Sequence, residues 1–100
     1  MPLFLAYVTE KKVLIVDDSA RFRALVRSLL AGPGVQIEEC SDGEQAWRLY
    51  AQGLHDVVLM DIRMERMNGL TATQVLKAQY QTARVVILTA FDDAAAPRGA

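Results

Sequence analysis

The sequence predicts an α/β fold: a doubly wound parallel sheet of about four strands and three helices. Short apolar runs typical of buried strands alternate along the chain with stretches in which apolar residues recur at helical spacing. Most of the apolar runs are continuous, which is typical of parallel strands covered by helices on both faces. One hundred residues suffice for a single domain with one core.

The first strand and the first helix occupy the region up to residue 34. Residues 13–16 form a continuous apolar run, and Ser19 stands where the N-cap of a helix is expected. Five apolar residues then fall on one helical stripe: Phe22, Leu25, Val26, Leu29 and Leu30. The tripeptide Gly32-Pro33-Gly34 ends this helix.

The next strand and helix follow directly. Residues 35–40 begin with apolar and polar side chains in alternation, as expected of a half-exposed edge strand. Ser41 and Glu44 have the spacing of a capping box, which predicts a helix N-cap at Ser41. Gly53 is expected to close this second helix. Its apolar residues are Ala46, Trp47, Leu49 and Tyr50.

The second half of the chain repeats the alternation. Residues 56–60 predict a buried third strand, and residues 64–69 predict a loop. Residues 70–80 have a helical pattern, and residues 84–89 predict a fourth strand. The predicted order is therefore β-α-β-α-β-α-β, which favours a parallel sheet.

Acidic and hydroxyl side chains stand at the ends of three of these strands. Asp17 and Asp18 follow the first strand, Asp61 follows the third, and Thr89 ends the fourth. Ligands of open α/β sheets bind outside the carboxyl ends of the strands, where the strand order reverses. We therefore expect these four side chains to meet at one edge of the sheet.

Three carboxylates at close range repel one another, and a hard divalent cation such as Mg²⁺ relieves this repulsion. With the cation bound, one Asp oxygen can act as a nucleophile and accept a phosphoryl group. Each residue has a simpler interpretation when taken alone, because Asp after a strand is common in turns and helix caps. The combination at one end of a parallel sheet favours a functional site.

Composition excludes several other classes of function. The net charge of −1 and a pI of about 5.7 give no electrostatic reason to expect nucleic-acid or membrane-surface binding. Cys40 is the only cysteine, so an intrachain disulfide is impossible. The apolar run Leu3 to Val8 is too short to span a membrane and is a poor secretion signal, so a cytoplasmic location is expected. Residues 1–10 are interpreted as a leader, 11–93 as the domain and 94–100 as a tail.

Four motifs resemble the receiver domain of bacterial two-component response regulators. They are VLIVDDS, SDGEQA, DVVLMDIRMERMNGL and ARVVILTAFDD, in the order and spacing of that family. The resemblance extends from Lys12 to Asp93, and the last motif is most similar to receivers that are usually joined to a helix-turn-helix DNA-binding domain. It implies the flavodoxin-like receiver fold.

The resemblance also implies roles for individual residues. Asp61 would be the phosphoacceptor and Thr89 the switch hydroxyl. Asp18 would bind Mg²⁺ directly, Asp17 mainly through water, and the backbone carbonyl of Arg63 would be a further ligand. The phosphoryl donor would be a sensor histidine kinase. Such a domain is a signalling module and not an enzyme, apart from its own phosphorylation and dephosphorylation.

The chain departs from the family at its end, since the last helix-strand-helix of the family and its lysine do not fit in the eleven residues that follow Thr89. Strand four and the face of helix one around Phe22, Leu25 and Leu29 would then be bare. This predicts self-association, through strand four or by exchange of a terminal segment. One alternative is a receiver-like interaction or oligomerisation module that no longer switches. Another is a Mg²⁺-dependent phosphohydrolase.

Overall fold

The computed structural model describes residues 10–64 and 68–88. Within these ranges, strands and helices alternate as the sequence predicts. Thr89, the tail and all but the last residue of the predicted leader lie outside them. The elements are β1 (Lys11–Val16), α1 (Ala20–Leu30), β2 (Val35–Cys40), α2 (Gly43–Gly53), β3 (Val57–Asp61), α3 (Gly69–Gln79) and β4 (Val85–Leu88).

The four strands form one sheet in the order β2-β1-β3-β4, and all three neighbouring pairs are parallel. The chain moves from β1 to one side to form β2, then returns past β1 to form β3 and β4. The strand order therefore reverses between β1 and β3, which confirms the doubly wound parallel sheet. Strand β2 is an edge strand whose residues are mostly exposed or half-buried, as its sequence pattern predicts.

The helices cover the sheet unequally. Helix α1 packs against β1 and β2, whereas α2 and α3 pack against each other, with α2 on β1 and α3 on β3 and β4. No residue of α1 is fully buried, so the predicted apolar stripe of this helix is only partly covered by the described residues. The largest fully buried side chains come from two strands, β1 and β3, and from α3: Leu14, Ile15, Met60, Leu76, Val16 and Val58.

The N-cap of α2 is one residue later than predicted. Asp42, and not Ser41, has the extended backbone of a cap, and its Oδ1 accepts a hydrogen bond from the N–H of Gln45 at 2.9 Å. The Gln45 side chain reaches back to the N–H of Ser41 at 3.3 Å. Asp42 therefore caps the helix in place of Ser41, and the amide oxygen of Gln45 accepts from the residue before the cap.

Helix α2 ends at Gly53, as predicted, but the left-handed residue that caps it is Leu54 and not a glycine. Leu54 is the C-cap, with φ 47° and ψ 55°, and its N–H donates to the carbonyl of Tyr50 at 2.7 Å. Gly53 is the last residue of the helix itself. The His55 ring lies against it, and an added Cβ would stand 2.7 Å from Cε1 of that ring. Glycine is therefore used at position 53 to admit the imidazole.

The other helix starts are capped as their sequences suggest. The Ser19 hydroxyl accepts a hydrogen bond from the N–H of Phe22 at 3.2 Å, which confirms the predicted cap of α1. Asn68 Oδ1 accepts from the N–H groups of Leu70 and Thr71 at 2.7 and 3.2 Å. Within the described ranges, no helix has the length and apolar character needed to cross a membrane.

Candidate functional site

Three carboxylates meet at the carboxyl ends of β1 and β3. Asp17 and Asp18 come directly after β1, and Asp61 is the last residue of β3. One oxygen from each carboxylate lies within 4.8 Å of the others. Asp17 and Asp61 are 2% and 3% exposed, whereas Asp18 is exposed to solvent. The expected meeting of these side chains is thus found, while Thr89 lies outside the described residues.

Three hydrogen bonds hold Asp17 in place, two through its own backbone and one through its carboxylate. Its N–H donates to the carbonyl of Cys40 at 3.1 Å, and its Oδ1 accepts from the N–H of Ser19 at 2.8 Å. Its backbone carbonyl accepts from Nη1 of Arg23 at 2.6 Å. The second carboxylate oxygen, Oδ2, is buried and has no hydrogen-bond partner among the described residues. An unpaired buried oxygen is unfavourable, so this atom is left for a ligand.

Asp61 is fixed by the loop that follows it. Its Oδ1 accepts a hydrogen bond from the N–H of Arg63 at 3.1 Å, which restricts the rotation of the carboxylate. The N–H of Gly69 donates to the carbonyl of Ile62 at 3.0 Å, so the start of α3 approaches the end of β3 closely. An added Cβ at Gly69 would lie 2.0 Å from the backbone oxygen of Asp61. Only glycine fits there.

Burial dominates the electrostatics of this cluster. It raises the pKa of Asp17, and the charges of Asp61 and Asp18 act in the same direction against the hydrogen bond from Ser19. Burial also raises the pKa of Asp61, with a further contribution from the charge of Asp18, against the hydrogen bond from Arg63. Neither carboxylate forms an ion pair with a described residue. Among the described residues, the cluster therefore has no cation in ion-pair contact.

Arg23, which sequence analysis did not single out, connects this cluster to the edge of the sheet. Besides its contact with the carbonyl of Asp17, its Nε lies 3.1 Å from Oε1 of Glu39. Nε of Arg27 lies 2.5 Å from the other oxygen of Glu39. The spacing of Arg23 and Arg27, one helical turn apart, is the sequence signal that could have suggested a shared acidic partner.

The donor set fits a hard divalent cation. Three carboxylates supply oxygen ligands, which Mg²⁺ prefers, and the exposed position of Asp18 leaves access to the water that Mg²⁺ usually retains. The unpaired Oδ2 of Asp17 is one available ligand atom. The arrangement can thus bind a cation next to a buried carboxylate. A cation in this position would neutralise charge on a phosphoryl group that the carboxylate attacks.

Comparisons with known proteins agree with this geometry. A family model described as the response regulator receiver domain matches residues 13–99. The chain is 37% identical over 87 residues to a probable transcriptional regulator ycf27 of Guillardia theta. This match covers 87% of the chain and 34% of that relative. It is 35% identical over 81 residues to the chemotaxis protein CheY of Bacillus subtilis, covering 80% of the chain and 68% of CheY.

Solved structures show the same similarity. The chain matches response regulator protein TrrA of Thermotoga maritima, solved in complex with Mg²⁺-BeF, with a TM-score of 0.76 and 29% identity. The match covers 87% of the chain and 76% of TrrA. The chain spans about a third or less of the first regulators and methylesterases that it matches in sequence.

Proposed function

Because the chain belongs to the response regulator receiver domain family, we propose that it is a phosphoacceptor domain of two-component signalling. In this proposal Asp61 receives a phosphoryl group from a phosphohistidine of a sensor histidine kinase. The observation that carries the proposal is the cluster of Asp17, Asp18 and Asp61, whose ligand oxygens lie within 4.8 Å of one another at the reversal point of the sheet. Receiver domains of this family bind Mg²⁺ at such an acidic pocket.

The three aspartates and the backbone carbonyl of Arg63 are the proposed holders of Mg²⁺. When bound, the cation would offset the carboxylate charges and the charge of the phosphoryl oxygens. The unpaired Oδ2 of Asp17 and the exposed carboxylate of Asp18 support this assignment. Asp17 is restrained by Ser19 and Arg23, so its carboxylate is already oriented before a ligand arrives.

The proposed transfer requires little from the protein beyond orientation. A carboxylate oxygen of Asp61 forms a bond to phosphorus while the P–N bond of the phosphohistidine breaks, and the electron pair of that bond remains on the imidazole, which takes a proton. The N–H of Arg63 holds Oδ1 and so orients the carboxylate. Thr89 is proposed as the hydroxyl that donates to a phosphoryl oxygen of the product.

Intact-mass measurement after treatment with acetyl phosphate tests the proposal. The wild-type chain should gain one phosphoryl group with Mg²⁺ and none in a chelator, and Asp61→Asn should gain none. Asp56→Asn is the matched control, since an asparagine oxygen can still accept the N–H of Lys12 that Asp56 accepts at 2.8 Å. This control should be phosphorylated like wild type.

Three results would contradict the proposal. Phosphorylation of Asp61→Asn to the same extent as wild type would show that Asp61 is not the phosphoacceptor. Binding of Mg²⁺ by a wild-type chain that never gains a phosphoryl group would instead favour the interaction module that does not switch. Turnover of far more than one equivalent of a small phosphate ester would favour a phosphohydrolase.

The proposal includes a cytoplasmic location and self-association with a second copy of the chain. Leu25 and Leu29 on α1 are 53% and 74% exposed, and Val86 on β4 is 48% exposed. No described strand pairs with the outer edge of β4. An exposed apolar side chain on an open strand edge, such as Val86, favours pairing between chains. Leu25 and Leu29 form a separate exposed apolar surface, because α1 packs against β1 and β2. Size-exclusion chromatography with light scattering should give a mass above 11.1 kDa at high concentration, and a monomer would contradict this part.

A further inference from the structure

We propose that the apolar leader segment, residues 3–8 with the sequence LFLAYV, packs into a trough on the α1 side of the sheet of its own chain. The trough has a wall at Leu25 and Leu29 of α1 and ends at Val86 of β4. Its floor between these two exposed surfaces is formed by Val57 and Leu59 of β3, which are half-buried. This inference does not depend on the proposed phosphoacceptor.

The two faces of the sheet are covered to different extents. Neighbouring residues of a strand point to opposite faces, and Leu14 and Val58 belong to the core beneath α2 and α3. On the other face, Ile15, Leu59 and Val86 stand side by side on β1, β3 and β4. Ile15 is fully buried, Leu59 is half-buried and Val86 is 48% exposed. Cover on this face therefore decreases from β1 to β4, because α1 packs on β1 and β2.

The flank of α1 that faces the uncovered part of the sheet is apolar. Arg23 and Arg27 both reach Glu39, which places their flank of the helix over β2. Leu25 follows Arg23, and Leu29 follows Arg27, by two residues, which is about 200° around an α-helix. The two leucines therefore lie on the flank directed toward β3, where they are 53% and 74% exposed. The wall and the floor of the trough are thus apolar and lack full cover among the described residues.

The leader segment has the side chains that such a trough requires. Five of its residues are large and aliphatic or aromatic: Leu3, Phe4, Leu5, Tyr7 and Val8. Residues 65–67 and 89–100 also lie outside the described ranges, but their large apolar side chains are only Met67 and Phe91. Burial of apolar surface on both sides of the contact stabilises it. Residues 3–8 are therefore the segment that we assign to the trough.

The point of attachment and the length of the segment agree with this assignment. The leader joins β1 at Lys11, which pairs with Val35 at the start of β2. Helix α1 runs back from the far end of β1 toward the start of β2, so the trough opens where the leader begins. Six extended residues span about 20 Å, and the eleven residues of α1 span about 16 Å. A reversal of the chain at Thr9 and Glu10 lays the segment along the trough.

A double-mutant cycle in the full chain tests the contact. Leu5→Ser and Leu25→Ser should each lower the equilibrium constant for folding about tenfold in urea denaturation, because each removes buried apolar area. The double variant should lose about tenfold as well, since either substitution alone breaks the contact. The matched control is Leu70→Ser, because Leu70 is 50% exposed but lies on α3, across the sheet. Its effect should multiply with that of Leu5→Ser.

A nitroxide label attached at Pro2→Cys tests the position of the segment and leaves residues 3–8 intact. The label reacts at residue 2, because Cys40 is buried and burial raises the pKa of its thiol to about 12. Phe22 and Leu70 lie in the first turns of α1 and α3, at the same end of the sheet but on opposite faces. In ¹H–¹⁵N correlation spectra, the amide signal of Phe22 should broaden more than that of Leu70.

Three results would overturn the proposal. The first is that the effects of Leu5→Ser and Leu25→Ser multiply, and the second is equal broadening at Phe22 and Leu70. The third is equal broadening of Phe22 when ¹⁵N-labelled chains without nitroxide are mixed with nitroxide-labelled chains, which would place the leader in the trough of a second copy. None of these measurements involves phosphorylation, so their failure leaves the phosphoacceptor proposal untouched.

Discussion

Glu39 and the aspartate cluster lie at the same end of the sheet and share a contact with Arg23, yet their electrostatics are opposite. Glu39 is held between Arg23 and Arg27, and the hydrogen bond from Arg27 is the main reason that the pKa of its carboxyl is lowered. Asp17 and Asp61 have no ionic partner among the described residues, and burial raises the pKa of both. Glu39 therefore stabilises the fold, whereas the aspartates form a site that a cation would complete.

The largest expected effect tests how the aspartate cluster is built. Gly69→Ala places a Cβ 2.0 Å from the backbone oxygen of Asp61, so α3 or the end of β3 must move. We expect a loss of about 3 kcal/mol in the free energy of unfolding, as for severe overpacking, measured by urea denaturation. Gly32→Ala is the control, because its Cβ would meet nothing within 4 Å. Equal effects of the two substitutions would refute the close approach at Gly69.

The response to Mg²⁺ should separate the two acidic groups most directly. At a Mg²⁺ concentration one hundredfold above its dissociation constant, the wild-type free energy of unfolding should rise by about 2.7 kcal/mol. Asp61→Asn should lose most of this gain, whereas Glu39→Gln should keep it. Thermal unfolding with and without Mg²⁺ measures the difference. A gain that depends on Glu39 and not on Asp61 would reverse the roles of the two groups.

In the absence of divalent cations, the two neutralising substitutions should have opposite signs. Glu39→Gln removes charged hydrogen bonds to Arg23 and Arg27 and should lower the free energy of unfolding by about 1 kcal/mol, since these side chains are partly exposed. Asp61→Asn removes a buried charge that has no ion pair with a described residue, and it should raise the thermal midpoint at neutral pH. The same sign for both substitutions would mean that the aspartates are already compensated.

The smallest expected effect is the dependence of stability on pH in a chelator. The pKa values of Asp17 and Asp61 are raised from 3.8, so the folded chain binds protons at these groups more tightly than the unfolded chain does. The stability that this tighter binding contributes is lost as the pH rises from 3.8 through the folded pKa values. The lowered pKa of Glu39 acts oppositely, and its contribution is lost as pH falls below 4.5. Thermal midpoints between about pH 3 and pH 7 should show this.

Each variant should flatten one limb of that profile. Asp61→Asn should reduce the decline on the neutral side, and Glu39→Gln should reduce the loss on the acid side. The matched comparison is Glu44→Gln, whose carboxylate pairs with Arg48 on the exposed surface of α2, and which should leave both limbs unchanged. A profile that neither Asp61→Asn nor Glu39→Gln alters would show that these groups do not titrate as inferred.

The sequence by itself determined the order of the elements and the place of the aspartate cluster. Apolar runs and helical stripes are local patterns, and they located β1, α1, β2, α2, β3, α3 and β4 to within a few residues. A chain that alternates strands and helices forms a parallel sheet, and a parallel sheet brings the carboxyl ends of its strands to one edge. Asp17, Asp18 and Asp61 could therefore be placed together before any distance was known.

Tertiary structure decided what depends on the fit between particular atoms. It placed the cap of α2 at Asp42, admitted the His55 ring beside Gly53, and left Leu54 in the conformation of a glycine. It also brought Arg23 to both Asp17 and Glu39. The pattern of residues along the chain predicts the element to which each residue belongs. It does not predict the distances between side chains on different elements. Those distances determine which carboxylates are neutralised by the protein and which lack a cation.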